Sequence, residues 1–457
     1  MNHKIGLIHC VIFILIFHLG LHGQLNPAIT AWLQNTTITG SYYKSGNSTA
    51  IGNGILVNCQ KIQYSTDWVY VSTMGIPSYP TGPFLDGNPS QASSQNAIFK
   101  ISLNPKQNTG TQSSTTGGNI GIFINGVALF DYRDGVSWQN SSGTIKGGPI
   151  GGMGDNVWTR DAIVAEKKGF DCAKGHPAMG NYHHHQNPSA FKLDETVIST
   201  VCNLYDADGL YVIDKNNHSP LLGFAYDGFP IYGAYGFKNA DGSGGVARMK
   251  SSYQLRNISD RTHYANGSDV IDGPAINATY PLGYFREDYE YVDHSNDSEY
   301  LDEHNGRHCI TPEYPEGTYA YFCTVDESHN SAYPYVVGPT FYGVRNASKV
   351  NAVNETTTTY IRTTTSLNET SKPKLEVNIF PNPGTEFLAV QVNGLLSEDL
   401  DLVLYDNAGR LLEKASIAKG STIAFIDVQK YYNGMYTITV GKGRSALSKI
   451  VVISRQE

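Results

Sequence analysis

Charged residues are scarce in this sequence of 457 residues. Lys, Arg, Asp and Glu together make up 16% of it, and 41 acidic against 33 basic side chains give a net charge of -8 at pH 7. Without a basic excess, the chain lacks the electrostatic pattern of a nucleic-acid-binding protein. Its 40% of hydrophobic residues also exclude a chain that is disordered throughout. We therefore expect a folded protein with no nucleic-acid partner.

Long apolar runs are also absent, with one exception at the start. A basic beginning precedes an apolar run over residues 5–21, and the small residue Gly23 follows. This order is typical of a secretory signal peptide. A membrane anchor is the alternative, but the run contains His9 and His18 and has little length to spare for a span. We predict a signal peptide over residues 1–23 and no transmembrane segment.

Cysteine is sparse, and an exported protein can use it in disulfides. Removal of the signal peptide leaves five cysteines, an odd number that permits at most two bridges within the chain. Cys309 and Cys323 flank a turn-rich stretch that would bring them together, and Cys172 with Cys202 is the other candidate pair. Cys59 lies in an apolar run and is predicted to be a buried free thiol. The spacing alone does not decide the connectivity.

Glycine and tyrosine are abundant, at 47 and 30 residues, whereas methionine is rare, at 6. Tyr favours strands and Gly favours turns. Apolar residues alternate over residues 97–103 and again at 120, 122 and 124, where Asn125-Gly126 follows at once. This pattern predicts half-buried strands and a hairpin. The chain is therefore predicted to be mainly β.

Short helices and further strands are predicted around the middle of the chain. Thr159 suits the N-cap of a helix, Asp161 its first turn and Gly169 its end. A second short helix is predicted over residues 194–204. The apolar and aromatic segment 209–213 is typical of a strand.

The composition changes near residue 346. Thr-rich residues 346–374 have little to bury and are predicted to be a linker. Short alternating segments over residues 375–457 predict a small β-sandwich. We therefore predict a large β-rich domain with long loops and short helices over residues 24–345, followed by the linker and the small C-terminal sandwich.

Four histidines fall within the fifteen residues 171–185. On a strand, residues two apart point to the same face, so His183 and His185 would project together while His184 faces the other way. His176 lies seven residues before His183, across a bend that would fold it back as a third member. Three imidazoles on one face are a candidate metal site. The alternative is that the histidines are structural.

Three histidines with an open position suit zinc or copper. Asp171 is a candidate fourth ligand, or an outer partner that orients an imidazole. A bound metal would activate water for hydrolysis, or undergo redox chemistry if it is copper, so a metal-dependent hydrolase or oxidase is one hypothesis. Asp227, in an apolar Asp-Gly turn, and Asp171 are the two candidate acid–base residues. The alternative for Asp227 is that it only stabilises the turn.

A second hypothesis is a non-catalytic extracellular module that binds carbohydrate or a protein partner. Tyrosines would then form the contact surface, and Tyr182, Tyr319, Tyr321 and Arg307 are the candidate substrate-binding residues. Core packing is the alternative for the tyrosines, and a salt-bridged loop for Arg307. The sequence contains no phosphate loop, dinucleotide fingerprint, Gly-x-Ser-x-Gly elbow or His-Glu-x-x-His motif.

The C-terminal module carries four motifs in a fixed order: Ile379-Phe-Pro-Asn-Pro383, the segment 404–410, Asn433-Gly-Met-Tyr436 and the closing segment from Lys449. In these it resembles the type A sorting domain of the type IX (Por) secretion system of Bacteroidetes. The resemblance implies passage through the inner membrane by the signal peptide and through the outer membrane by this tail. It further implies contact with the secretion machinery, and a mature protein that is secreted or held at the outer cell surface.

The large domain resembles the YHYH domain family. Gly175-His176 and Asn181-Tyr-His-His-His185 carry the resemblance, which runs from about residue 31 to 343. The chain departs from the motif at His184, where the family name has a second Tyr. Both motif histidines, His183 and His185, are kept. The resemblance implies the domain type rather than an activity.

Overall fold

The computed structural model describes residues 25–85, 90–194, 202, 209–362, 377–392, 396, 399–407, 410–441 and 447–455. The chain divides into two compact units after Arg362. Among the described residues, strands account for 39% and helices for 5%, so the prediction of a mainly β fold is confirmed. The predicted signal peptide and most of the predicted helix at 194–204 lie outside the described residues. Within the described ranges, no helix is both long and apolar enough for a membrane span.

The elements of the large unit are short. Its described helices are α1 Pro27–Thr30 and α2 Ala162–Glu166, with 3-10 turns at Gly148–Ile150, Lys167–Gly169, Phe191–Leu193 and Arg286–Asp288. Its described strands are β1 Thr39–Tyr42, β2 Ile51–Leu56, β3 Cys59–Tyr64, β4 Trp68–Thr73, β5 Ala97–Ser102, β6 Asn119–Phe123, β7 Ala128–Phe130, β8 Arg133–Gln139, β9 Thr144–Gly147, β10 Thr159–Asp161, β11 Gly175–Ala178, β12 Asn181–His184, β13 Leu221–Ala225, β14 Pro230–Tyr232, β15 Tyr235–Phe237, β16 Val246–Arg248, β17 Tyr253–Leu255, β18 Tyr289–Tyr291, β19 Gly306–Cys309, β20 Thr318–Phe322, β21 Ser348–Val350 and β22 Thr358–Tyr360.

Two sheets supply the core of the large unit. One has eight strands in the order β11-β12-β7-β6-β13-β14-β20-β19, and the other has five in the order β21-β5-β4-β3-β22. Val69, Val71 and Phe99 of the five-stranded sheet belong to the same buried cluster as Ile122 and Phe224 of the eight-stranded sheet. One face of each sheet therefore turns to a shared core, while β6 and β13 are buried on both of their faces.

The eight-stranded sheet consists of two halves with the same connectivity. Each half contains an antiparallel hairpin, β6–β7 or β13–β14. A third strand, β12 or β20, pairs parallel with the second strand of that hairpin. An outer strand, β11 or β19, pairs antiparallel with the third strand. The halves meet where β6 pairs antiparallel with β13. Segments 120–130 and 222–232 share Gly at their second position, Asn-Gly or Asp-Gly at the sixth and seventh, and an aromatic residue at the last.

The strand register aligns the two halves residue by residue. His184 lies opposite Leu129 in one half, and Tyr321 lies opposite Ile231 in the other. By this register Tyr321 occupies the place of His184. The large unit therefore contains an internal structural repeat, although only the first half carries the cluster of His176, His183 and His185.

Most local predictions near the site are confirmed, with two corrections. Asn125-Gly126 forms the predicted hairpin turn between β6 and β7. The helix before the histidines exists, but its N-cap is Asp161, whose side chain accepts the N–H of Ile163, while Thr159 lies in β10. Segment 209–213 is not a strand; Tyr211 within it lies in the core, where its hydroxyl donates to Asn187 Oδ1.

Part of the stretch predicted as linker belongs to the large unit. β21 pairs with β5 and β22 pairs with β3, so these two strands form both edges of the five-stranded sheet. Thr, which dominates β22, suits a half-exposed strand. Sheet structure therefore continues to residue 360.

The small unit contains β23 Val377–Phe380, β24 Phe387–Val392, β25 Leu400–Tyr405, β26 Leu411–Ile417, β27 Ile423–Asp427, β28 Gly434–Val440 and β29 Leu447–Ile453. They form a sheet in the order β23-β24-β27 and another in the order β26-β25-β28-β29. Leu388 and Val390 of the first share a buried cluster with Leu402, Ile438 and Val451 of the second.

The cysteine predictions are confirmed in part. Cys172 and Cys202 form a disulfide with their Cα atoms 5.1 Å apart, and Cys59 is a buried free thiol. The predicted bridge between Cys309 and Cys323 is wrong, since both are free. The register pairs Cys309 with Thr318, which leaves Cys323 five residues further along the strand, about 17 Å away at strand spacing.

We predict that replacing both bridged cysteines, Cys172→Ser with Cys202→Ser, lowers the free energy of unfolding by about 3–4 kcal/mol, because the bridge closes a loop of 30 residues. Urea unfolding monitored by fluorescence measures this change. Reductant should destabilise the wild type and leave the double variant unaffected. Equal numbers of reactive thiols in denatured wild type before and after reduction would contradict the prediction.

Candidate metal centre

The histidines lie on a tight hairpin formed by β11 and β12. Its two-residue turn, Met179-Gly180, has positive φ at both positions, 48° and 83°, which is the backbone of a type I′ turn. The turn fixes a register in which His176 lies directly opposite His183. Directly opposite residues share one face of an antiparallel pair. The hairpin therefore brings two imidazoles together that are seven residues apart in sequence.

His185 follows the end of β12 and completes the cluster. The Nε2 atom of His185 lies 3.0 Å from that of His183 and 3.4 Å from that of His176. One ligand nitrogen from each of the three rings lies within 4.8 Å of the other two. All three rings are buried, and His183 stacks on Phe130 with ring centroids 3.9 Å apart. The structure thus brings together the three histidines singled out in the sequence.

Backbone carbonyls orient two of the rings. His183 Nδ1 lies 2.8 Å from the carbonyl oxygen of Asn181, and His185 Nδ1 lies 2.6 Å from that of Asp131. Because a carbonyl only accepts, each Nδ1 carries the proton and donates it. Each Nε2 then presents a lone pair to the centre of the cluster. Within the described residues, His176 Nδ1 is buried without a hydrogen-bond partner.

The cluster favours neutral imidazoles. Burial, followed by the neighbouring rings, lowers the pKa of His183 well below its usual 6.5. Burial also lowers the pKa of His185 to about 4. Neutral imidazole is the form that binds metal, so these rings need not lose a proton at pH 7 to act as ligands.

Glu166 is a fourth group at the cluster that the sequence analysis missed. It ends α2, and its Oε2 lies 3.3 Å from His176 Nε2 and 3.5 Å from His185 Nε2. Neither contact has hydrogen-bond geometry, so this buried oxygen has no hydrogen-bond partner among the described residues. Burial tends to raise the pKa of Glu166, but the adjacent imidazoles of His176 and His185 hold it below 4.5. The available signal was that Glu166 is the one acidic residue between positions 161 and 171.

Asp171 lies away from the cluster, and its predicted role as a ligand or an orienting partner is wrong. Its carboxylate accepts the hydroxyl of Tyr182 and the backbone N–H groups of Gly82, Ala173 and Gly175. Burial raises the pKa of Asp171 to about 6 despite these bonds. The carboxylate is therefore committed to holding the base of the hairpin. Tyr182, predicted to bind substrate, is fully buried as the partner of Asp171.

His184 faces away from the cluster, as its place in the strand predicts. Its Nδ1 donates to the carbonyl of Lys174 at 3.1 Å, and its Nε2 accepts the hydroxyl of Tyr79 at 2.8 Å. Burial lowers the pKa of His184 to about 3, which keeps this acceptor neutral at pH 7. The ring is thus fully used in the interior on the opposite side of the hairpin.

Asp227 is not brought to the histidines, so its predicted acid–base role there is wrong. It lies at the β13–β14 turn, and β13 is three strands from β12 in the sheet, roughly 14 Å at strand spacing. Its Oδ2 accepts the hydroxyl of Tyr321 at 2.6 Å and the N–H of Gly343 at 2.8 Å. Burial raises the pKa of Asp227 to about 6.

The remaining predicted contact residues make internal contacts, which favours the alternatives of core packing and a bonded loop; their role in substrate binding stays a prediction. The guanidinium of Arg307 donates to the carbonyls of Phe237, Lys238 and Ser298, so it ties loops together. Tyr319 is buried and donates to Asp302. Tyr321 is buried as well, as the partner of Asp227. These groups satisfy internal partners rather than lining a recognition surface.

Two family models match the chain. The model described as YHYH protein matches residues 98–334, and the model described as secretion system C-terminal sorting domain matches residues 378–454. The first match spans 237 of the 457 residues, and the chain therefore belongs to the YHYH protein family. No curated protein matches the chain. The second match implies secretion or a cell-surface location through the type IX machinery.

We predict that Asp227→Asn removes a pH-dependent component of stability. A folded-state pKa of about 6, above the ordinary 3.8, means that the folded protein holds this proton more tightly. The contribution of Asp227 to stability is therefore full below pH 3.8 and is lost as pH rises through 6. Since one pKa unit corresponds to about 1.4 kcal/mol, wild type should lose about 3 kcal/mol relative to the variant between pH 3 and 8. Urea unfolding of both proteins measures it, and a pH-independent difference would contradict it.

Proposed function

We propose that this is a secreted metalloprotein whose large unit binds one transition metal ion through His176, His183 and His185. The observation that carries the proposal is the convergence of three Nε2 atoms, two of them in rings whose Nδ1–H groups are fixed by backbone carbonyls. Such outer hydrogen bonds set the tautomer and direction of ligand histidines in metal sites. Structural histidines would instead use both ring nitrogens on internal partners, as His184 does.

The spacing of the nitrogens supports a small tetrahedral ion. Bonds of 2.0–2.1 Å in tetrahedral geometry place ligand atoms about 3.3 Å apart. Two of the three nitrogen pairs are separated by 3.0 and 3.4 Å, and the third pair, His176 with His183, lies within 4.8 Å. Glu166 Oε2 lies 3.3 and 3.5 Å from two of the nitrogens. Zinc and copper both accept such nitrogen-rich sets. We therefore infer that Glu166 is the fourth ligand.

Glu166 decides which chemistry the site can support. With its carboxylate bound, the ion has four protein ligands, which is the arrangement of structural zinc sites. With its carboxylate displaced, one position opens for water or substrate, as a hydrolase or oxidase requires. Its side chain is 22% exposed, compared with 4% and 7% for those of His185 and His176, so solvent approaches the cluster from this side.

The two ends of the chain support delivery to the cell exterior. The apolar run over residues 5–21 supports a signal peptide that directs export across the inner membrane. The sorting domain at residues 378–454 supports transfer across the outer membrane. We infer that the metal is acquired or retained outside the cytoplasm, with the mature protein released or held at the outer surface.

We predict that purified wild type retains about one equivalent of zinc or copper after dialysis against the metal, because the three imidazoles form a preorganised ligand set. His183→Ala and His185→Ala should each lose it, as measured by mass spectrometry of metal content. His184→Gln is the matched control on the same strand and should keep the metal. Failure of wild type to retain added zinc, copper or iron would overturn the proposal.

Glu166→Gln should weaken metal binding without abolishing it, because an amide oxygen is a poorer ligand than a carboxylate and carries no charge. We expect a loss of roughly tenfold to a hundredfold in affinity, measured by competition with a chromogenic chelator. The neighbouring exposed Lys168→Gln serves as the control. An unchanged affinity in Glu166→Gln would show that the carboxylate is not a ligand.

A further inference from the structure

A row of tyrosine rings begins beside the candidate metal centre. Tyr132 directly follows Asp131, whose carbonyl oxygen lies 2.6 Å from His185 Nδ1. One hydrogen bond and a short piece of backbone therefore join a proposed ligand ring to the side chain of Tyr132. Phe130, two residues earlier, stacks on His183 with the ring centroids 3.9 Å apart, so this segment borders the cluster.

The rings continue from Tyr132 to the protein surface. The ring centroid of Tyr333 lies 5.2 Å from that of Tyr132 and 5.4 Å from that of Tyr253. Tyr253 and Tyr291 lie directly opposite each other on β17 and β18, with ring centroids 5.7 Å apart. Tyr132 and Tyr333 are 1% and 6% exposed, whereas Tyr291 is 37% exposed. These four residues, which we call the tyrosine path, connect the interior beside the cluster with solvent.

Packing alone does not explain tyrosine at the buried positions of the path. Phenylalanine fills nearly the same space without a hydroxyl, and a buried hydroxyl costs free energy unless it is bonded. The hydroxyls of Tyr132 and Tyr333 lie 3.2 Å apart and bond each other, and that of Tyr253 donates to the carbonyl oxygen of Glu303 at 2.7 Å. Burial raises the pKa of Tyr132 above its usual 10, so its ring is a protonated phenol at neutral pH. Bonded phenols in ring contact are the side chains best suited to pass on single electrons.

We propose that the tyrosine path carries electrons from Tyr291 to the metal centre, so that the protein oxidises external phenols with a peroxide as the oxidant. The inference rests on the proposed metal centre and deepens it. It requires a redox-active ion such as copper, which imidazole ligands accept, because zinc has no redox chemistry.

The electrons and protons of this reaction balance. Hydrogen peroxide takes up two electrons and two protons as its O–O bond breaks, and two water molecules form. Each electron leaves Tyr291 as its phenolic O–H bond breaks and the proton passes to solvent, while every buried ring of the path regains the electron that it passes on. The Tyr291 radical then takes one hydrogen atom from an external phenol. A phenol matches tyrosine in O–H bond strength, so this last transfer is close to balanced in energy.

The test uses full-length protein loaded with copper, to which hydrogen peroxide and a nitroso spin trap are added. Mass spectrometry of peptides locates the trapped tyrosyl radicals. We expect more adduct at Tyr291 than at Tyr432, although Tyr432 is 90% exposed, because an oxidant diffusing through solvent would favour the more exposed ring. Zinc-loaded protein should give no adduct at Tyr291.

Tyr333→Phe keeps the ring in the middle of the path and removes only its hydroxyl. This variant should lose most of the Tyr291 adduct and most of the peroxide-dependent oxidation of p-cresol, with its copper content unchanged. Tyr300→Phe is the matched control, because the ring of Tyr300 stacks on His294 outside the path. It should behave as wild type in both measurements.

Three results with copper-loaded protein would overturn the proposal: no Tyr291 adduct in wild type, more adduct at Tyr432 than at Tyr291, or no greater loss in Tyr333→Phe than in Tyr300→Phe. The metal content of the same samples separates this inference from the proposed function. Wild type that retains zinc but no copper, or that retains copper without oxidising Tyr291, overturns the tyrosine path alone. Wild type that retains no metal overturns both.

Discussion

The register of the β11–β12 hairpin is the constraint on which the candidate centre depends. A slip of one residue would turn His176 and His183 to the opposite face and disperse the cluster. Asp171 opposes such a slip, because its buried carboxylate accepts two N–H groups at the start of β11 and the hydroxyl of Tyr182 from β12. The carboxylate predicted as a candidate ligand is thus the group that holds the histidine hairpin in register.

The internal repeat distinguishes the residues that the hairpin fold requires from those that only the candidate metal centre requires. In the second half, Asp302 accepts the N–H groups of His304 and Gly306 and the hydroxyl of Tyr319, as Asp171 does with its own partners. The position opposite Arg307 is occupied by Ala320, where the first half has His183 opposite His176. The Asp–Tyr arrangement therefore recurs without the cluster of three histidines. The Asp–Tyr arrangement is therefore a feature of the hairpin in both halves. The histidine cluster is present in only one of the two copies.

Local sequence patterns correctly predicted strands and turns that depend on residues close together in sequence. They did not predict contacts between segments that are distant in sequence. Alternation and Asn125-Gly126 were enough for β6 and β7, and two-residue spacing was enough to place His183 and His185 together. Glu166 reaches the cluster only because α2 packs beside the hairpin, which no local pattern encodes. Asp227 failed as a site residue for the same reason, since its distance from β12 is set by strand order. The false Cys309–Cys323 bridge arose because a turn was inferred without its register.

Both outer strands of the five-stranded sheet come from a single late segment of the chain. β21 covers β5 and β22 covers β3, so residues 348–360 shield two backbone edges at once. Unpaired edges invite association with other chains. A truncated large unit ending near residue 345 would leave both edges bare and prone to aggregation, whereas one ending after Arg362 would keep them covered. Residues 348–360, in the first half of the segment predicted as a linker, therefore protect the sheet from association with other chains. The chain gains this protection only when its large unit is nearly complete.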